Sequence, residues 1–273
     1  MNKLKADKQV AVIRALVEGS SIRSTERMTG VHRDTIMRLM VQVGETCGEV
    51  LDHTMRGLRC KRIEVDEVWC YVGKKQRHVL DTENPAEVGD FYTWVAIDAD
   101  SKVVPAFRVG KRDAANAHAF ITDLASRLEN RIQLSSDALR AYIEAVEAGF
   151  GADVDYAQIV KTYEAEPIGP GRYSPPKVVS TDKIRVQGKP DMALASTSYV
   201  ERDNLTMRMS MRRFTRLTNG FSKKAENLRA AVNLHFAYYN LVRFHKTVRM
   251  PPAMAAGVTA YPWKIDDLVR LSN

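Results

Sequence analysis

Arg62-Ile63-Glu64-Val65-Asp66-Glu67-Val68-Trp69-Cys70-Tyr71-Val72 is the stretch from which the fold can be read. Apolar residues alternate at Ile63 and Val65 and again at Val68, Cys70 and Val72, with β-branched and aromatic enrichment, which predicts a strand. Asp66 sits in the middle of it. An acid in a strand that reads as largely buried needs a partner, because an unpaired buried carboxylate is costly. A metal ion is one such partner and a basic side chain is the other. Glu64 and Glu67 read equally well as solvated charges on the strand face.

Downstream, Phe91 to Ile97 and Val103 to Val109 predict two more strands joined by the turn Asp98-Ala99-Asp100-Ser101. Lys74-Lys75-Gln76-Arg77-His78 is a basic turn, with Lys74 and Lys75 as candidate phosphate contacts. Ala114 to Leu128 carries an apolar stripe at Ala117, Phe120, Ile121, Leu124 and Leu128 and predicts a helix. Ile132 to Leu134 then predicts a short strand that delivers Asp137 ahead of another helical run. Asp137 fits two roles, a helix N-cap after Ser135-Ser136 or a ligand at a strand end. Tyr142 to Tyr163 reads as helical with a break near Gly149-Phe150-Gly151. Glu164 to Pro176 is Pro- and Gly-rich and reads as a loop. Lys177 to Val186 reads as a strand pair. The whole segment at about 150–195 is an elaboration between Asp137 and the next informative acid.

That acid is Glu201, in the segment Tyr199 to Phe214, which has no Pro or Gly and predicts a helix. On a 3.6-residue period Glu201, Asn204, Leu205, Arg208 and Arg212 share one face. A carboxylate followed by two guanidiniums on one stripe suits a metal-binding acid on a helix that lies along a phosphate backbone; an ordinary solvated face has the same pattern. Three acids with no His or Cys cluster nearby select a hard cation, Mg²⁺ or Mn²⁺ rather than zinc. Two such ions about 3.5–4 Å apart suit in-line attack at phosphorus. The absence of a GxxxxGK[ST] motif argues against a nucleotide-triphosphate motor.

Residues 1–45 predict a small helical unit: Lys8 to Val17, then Ile22 to Met28 capped by Ser21 and ended by Thr29-Gly30, then Arg33 to Val43. This is helix-turn-helix spacing, with Arg33, Thr35 and Arg38 on the candidate recognition helix. A three-helix packing unit without a DNA role has the same spacing. Residues 46–60 read as a helical connector and 251–273 as a C-terminal tail. Lys223 to Lys246 lies within one long predicted amphipathic helix, 222–246. The chain has 273 residues, 45% of them apolar, and a net charge of +8, enough for a packed core and suited to a polyanionic partner. No apolar stretch is long enough to span a bilayer and no signal peptide is visible, which points to the cytoplasm. Cys47, Cys60 and Cys70 have neither disulfide nor zinc spacing.

With these residues in place, the chain resembles the DDE transposases, and among them the insertion-sequence-one family. The resemblance is carried by Val65-Asp66-Glu67-Val68-Trp69, by Ser136-Asp137-Ala138 with Tyr142, and by Val200-Glu201-Arg202-Asp203-Asn204-Leu205 with Arg208. Gly220 to Asn227 and His235 to Asn240 also resemble the family's C-terminal stretch. The likeness covers roughly residues 60–250. It implies a mixed α/β, ribonuclease-H-like catalytic core at 61–250 behind the N-terminal helix-turn-helix unit. It implies Asp66, Asp137 and Glu201 as the catalytic, metal-binding triad for Mg²⁺ or Mn²⁺, and Arg208 falls where many such enzymes carry a basic residue after the glutamate; the shared helix face places Arg208 and Arg212 as candidate DNA contacts. The expected partner is double-stranded DNA, both element ends and target, bound by a homo-oligomer without membrane association. The family's N-terminal zinc ribbon has no counterpart here. A catalytically inactive DNA-binding repressor or architectural protein of the same fold is the alternative, and a nuclease of that fold is a third.

Overall fold

The computed structural model describes residues 4–164, 178–215 and 218–272. Its frame is a six-stranded mixed sheet in the order β3-β2-β1-β4-β5-β6. The strands are β1 (Arg62–Val72), β2 (Gly89–Asp98), β3 (Phe107–Gly110), β4 (Ile132–Asp137), β5 (Val154–Tyr163) and β6 (Val178–Gln187). β1, β2 and β3 form an antiparallel meander, β1, β4 and β5 run parallel, and β6 returns antiparallel along β5. β1 therefore lies at the centre, with one antiparallel and one parallel neighbour. Its apolar residues Ile63, Val65, Val68, Cys70 and Val72 are all buried, as the alternation predicts.

Helices cover the sheet. α4 (Ala114–Ser126) and α5 (Ala141–Phe150) pack together on one face, where Trp94 of β2 meets Phe120 at 6.1 Å and Tyr142 at 5.6 Å between ring centroids. α6 (Ser198–Ser210) lies against β1 and β2, and α7 (Ala225–Ala237) reaches β3, where Phe236 meets Phe107 at 4.5 Å. At the N-terminus α1 (Ala6–Val17), α2 (Ile22–Thr29) and α3 (Arg33–Thr54) follow one another. Ser21 caps α2 by accepting from the Ser24 amide at 3.0 Å, and Gly30 ends it with φ +69°. No helix of the described residues is long and apolar enough to cross a membrane.

Several expectations change. Residues 154–163 form a strand, not the second half of a helix, because Gly151 stops α5 at φ +53° and the chain then pairs with β4 and β6. The third strand is only Phe107–Gly110; residues 103–106 are buried but lie outside it. α3 continues through the expected end at Val43 as a single helix to Thr54. The long helix expected over 222–246 is α7 followed by a π-helical turn, Tyr238–Val242. Residues 251–273, expected as a tail, hold α8 (Pro252–Ala255) and α9 (Ile265–Leu271), whose Ile265, Leu268 and Val269 are buried beside α1 and α3. The loop expected over Glu164 to Pro176 lies, from residue 165 onward, outside the described residues.

α3 and α7 cross at a glycine. A Cβ on Gly44 would stand 2.1 Å from the Ala230 carbonyl oxygen, so the two backbones approach closer than any side chain permits. Gly44→Ala is expected to lower stability by about 1–3 kcal/mol through overpacking, read as a drop in thermal midpoint. An unchanged midpoint would mean that α3 does not dock on α7 in solution.

Candidate metal centre

The site follows from strand register. β1 and β4 pair in parallel with Val65 beside Ser136, so Asp66 and Asp137 come next to each other at the end of β4. Asp66, Asp137 and Glu67 each offer a carboxylate oxygen within a sphere where all three lie within 4.8 Å of one another. Asp137 is the last residue of β4 and not the N-cap of α5; its Oδ1 accepts from the Leu139 amide at 3.0 Å. Glu201, on the first turn of α6, stands across a cleft of about 520 Å³ that Asp66, Asp137, Arg112, Arg140, Lys161 and Thr197 help to line.

The four acids have different partners. Asp66 Oδ2 accepts from the Asn204 side-chain amide of α6 at 2.8 Å. Burial pushes the Asp66 carboxyl up to about 7, and the neighbouring Glu67, Asp137 and Glu201 charges add to this. Glu67 is not solvated: its side chain is 2% exposed, and it accepts from Arg112 Nε at 2.5 Å and from the Tyr142 hydroxyl at 3.0 Å. Burial and the Asp137 charge raise its pKa, and Arg112 works against them. The Arg112 guanidinium also lies 3.8 Å from Asp137 Oδ2. Glu201 is exposed, accepts from the Thr197 hydroxyl at 2.6 Å, and is paired with the Lys161 ammonium of β5.

Glu64, which in the sequence reads equally well as a solvated strand-face charge, is buried and holds α6 in place. Its Oε2 accepts from the Tyr199 amide at 2.7 Å and the Val200 amide at 3.1 Å, in the first turn of the helix that carries Glu201. A carboxylate there satisfies two otherwise unpaired donors and meets the positive end of the helix dipole. Burial nevertheless pushes Glu64 up to about 6. The readable signal was its position: Glu64 and Asp66 are two apart in a strand and so share a face.

The remaining sequence-predicted residues are scattered. Arg33, Thr35 and Arg38 begin α3, with Arg38 3.5 Å from the Thr35 hydroxyl. Lys74 is paired with Glu83 at 2.7 Å, beside exposed Lys75. α6 stops at Ser210, because Met211 turns to φ −125°, ψ 110°, so Arg212 does not continue the Glu201 stripe. Arg212 instead faces a second cavity on the other side of that turn, while Arg208 is half-buried within the helix.

An oxygen-only set of crowded acids fits a hard divalent ion; among the described residues Asp66, Glu67 and Asp137 stand close enough to share one, while Glu201, expected in the sequence as the third ligand, lines the same cleft but lies outside that group. The sign of the Asp66 effect makes this measurable. A carboxyl raised in the folded state contributes stability that is present below about pH 4 and lost as pH rises to about 7. Asp66→Asn is therefore expected to stabilise the metal-free protein at pH 8 by on the order of 2–4 kcal/mol, read as a higher melting temperature, and by much less at pH 4.5. Mg²⁺ or Mn²⁺ should stabilise the wild type at pH 8 and leave Asp66→Asn nearly unmoved. Equal metal-induced shifts in both proteins would remove Asp66 from the ligand set.

No family model matches this chain, and no curated protein matches it. Solved structures similar to it in part include the Mos1 transposase paired-end complex with left transposon end, at 15% identity and TM-score 0.23, covering 57% of this chain and 60% of that one. The Mos1 strand transfer complex is matched at 15% identity and TM-score 0.23 over 56% and 59% of the two chains. A pre-cleavage Mos1 transpososome is matched at 12% identity and TM-score 0.23 over 57% and 60%. The chain thus spans about three fifths of the length of the structures it is similar to.

Proposed function

We propose that this chain is a DDE transposase, a polynucleotidyl transferase that cuts DNA at the ends of an insertion sequence and joins them to a target. The observation that carries this reading is the convergence of Asp66, Asp137 and Glu201 on one cleft from a central strand, a neighbouring parallel strand and a covering helix. Strand order supports it as well: three antiparallel strands followed by two parallel ones around β1 are the arrangement expected of a ribonuclease-H-like core.

A divalent ion bound by these acids would supply the charge that activates an attacking oxygen and stabilises the leaving one at phosphorus. The chain's own residues do the rest. Glu64 fixes the angle of α6, and with it the position of Glu201. Asn204 holds the Asp66 carboxylate in one rotamer. Tyr142 and Arg112 hold Glu67 and keep its charge from falling wholly on Asp66. Arg140, Arg112 and Lys161 put positive charge on the cleft wall, where a phosphodiester can be drawn in and oriented. Duplex recognition falls to α3, whose first turns present Arg33, Thr35 and Arg38 after the capped helix α2.

The test is metal-dependent nicking and joining of a DNA duplex that carries the inverted repeats flanking the reading frame. Asp137→Asn and Glu201→Gln should each reduce cleavage by about a thousandfold or more while leaving duplex binding intact. Wild-type protein that binds the repeats but never cuts them with Mg²⁺ or Mn²⁺ would make it a DNA-binding repressor or architectural protein; cutting without joining would make it a nuclease. Arg38→Ala should weaken duplex binding and lower the salt slope by about one. An unchanged slope would leave α3 as a packing helix.

A further inference from the structure

A larger cavity, about 870 Å³, opens between the N-terminal helices and the segment that links α6 to α7. Six cationic side chains line it: Arg23, Arg33, Arg212, Arg213, Lys223 and Lys224. The lining includes one acid, Asp34, which is already 3.7 Å from Arg33. The first turns of α2 and α3 also open onto this space and add the positive ends of two helix dipoles. The lining also includes the apolar side chains of Leu16 and Met37 and Phe221, whose ring lies 4.7 Å from that of Tyr71 between centroids.

Arg213 is the informative residue. Its Nε donates to the Ser222 hydroxyl at 2.8 Å, and one terminal nitrogen lies 3.2 Å from the Met40 sulfur. Among the described residues no carboxylate is within ion-pairing distance of it, although burial pulls its pKa down to about 10. A guanidinium has five donors, and a hydroxyl and a thioether are weak, neutral partners for it. Arg213 is half-buried at the edge of this cavity, and an anionic ligand entering it would give the guanidinium the charged partner it lacks.

We propose that this cavity takes a single nucleotide of a DNA strand, its phosphate on Arg213 with Lys223 and Lys224, and its base against Phe221, Met37 and Leu16. The claim rests on the reading that the chain handles DNA, and adds a second site distinct from the acidic cleft. Its size suits one nucleotide. A nucleotide fits a space of this volume, and a duplex about 20 Å across, with its bases paired, does not. The nucleotide proposed here is an unpaired or extrahelical one, the state in which a base can stack on an aromatic side chain. Arg33 and Arg212, which the sequence suggests as two separate phosphate contacts, thus meet at one site.

The probe is deoxyadenosine 5′-monophosphate, titrated into the full chain without metal and compared with deoxyadenosine and with inorganic phosphate. The nucleotide should bind at least about tenfold more tightly than either. The exposed double variant Lys223→Gln/Lys224→Gln, and separately Arg213→Gln, should each weaken it by about tenfold or more. Phe221→Leu should bring nucleotide affinity down toward that of inorganic phosphate. Inorganic phosphate binding as tightly as the nucleotide, or full nucleotide affinity in the lysine double variant, would overturn the proposal. So would a nucleotide that fails to bind the folded wild type at millimolar concentration. Each of those results leaves metal-dependent cleavage at the acidic cleft to stand or fall by its own assay, and absence of cleavage with intact nucleotide binding would refute the transposase reading alone.

Discussion

The repulsion between carboxylates crowded at the end of β4 is the constraint around which this structure is arranged. Parallel pairing of β1 with β4 leaves little freedom in where Asp66 and Asp137 stand, since a one-residue slip of either strand would turn its acid to the other face, away from its partner. The elements nearby then manage the resulting charge. α5 brings the Tyr142 hydroxyl to Glu67, the chain before α4 brings Arg112, α6 brings Asn204, and β5 brings Lys161. The sheet's central strand thus carries charge that helices and a neighbouring strand must neutralise, which couples the packing of the two faces to the electrostatics of one cleft.

Glu64 shows the same coupling from the other direction. A buried acid is a liability that the chain offsets by docking a helix N-terminus on it, and that docking sets the distance from Glu201 to the sheet. The N-terminal unit is tied in by similar means. α3 is 22 residues long and lies on α7 through Gly44 and Gly48, while α9 from the far end of the chain closes over α1 and α3. Helices that read as an independent unit in sequence therefore share a core with the C-terminus.

What could be read from the sequence was whatever local pattern decides. The alternation in β1, the Ser21 cap, the Gly30 stop and the apolar stripe of α4 each name their element without help from the rest of the fold. What could not be read was decided by distant partners. Val154 to Tyr163 mixes apolar and polar residues without a clean period of two, and becomes a strand because β4 and β6 flank it. Glu64 and Glu67 look like surface charges until α6 and α5 bury them. The end of α6 carries no Gly or Pro; Met211 and Phe214 leave the helix to fill the core, and Arg212 turns away with them.

The partners of the four acids also decide where a divalent ion would gain most. Glu201 is paired with the Lys161 ammonium, and Glu67 is clamped by Arg112. Asp137 is more open, lies near the same guanidinium and has the Leu139 amide. Asp66 has only neutral donors among the hydrogen bonds described, the Asn204 amide and a backbone N–H, while three negative neighbours oppose its ionisation. Asp66 is therefore the acid whose ionised form the protein compensates least, which is why its carboxyl holds its proton up to about pH 7. Since Asp66 also sits on the most constrained strand of the sheet, it cannot swing away to relieve that charge as a loop residue would. A cation entering the cleft would meet Asp66 with Asp137 and Glu67 beside it, whereas Glu201 at the cleft wall is already neutralised by Lys161.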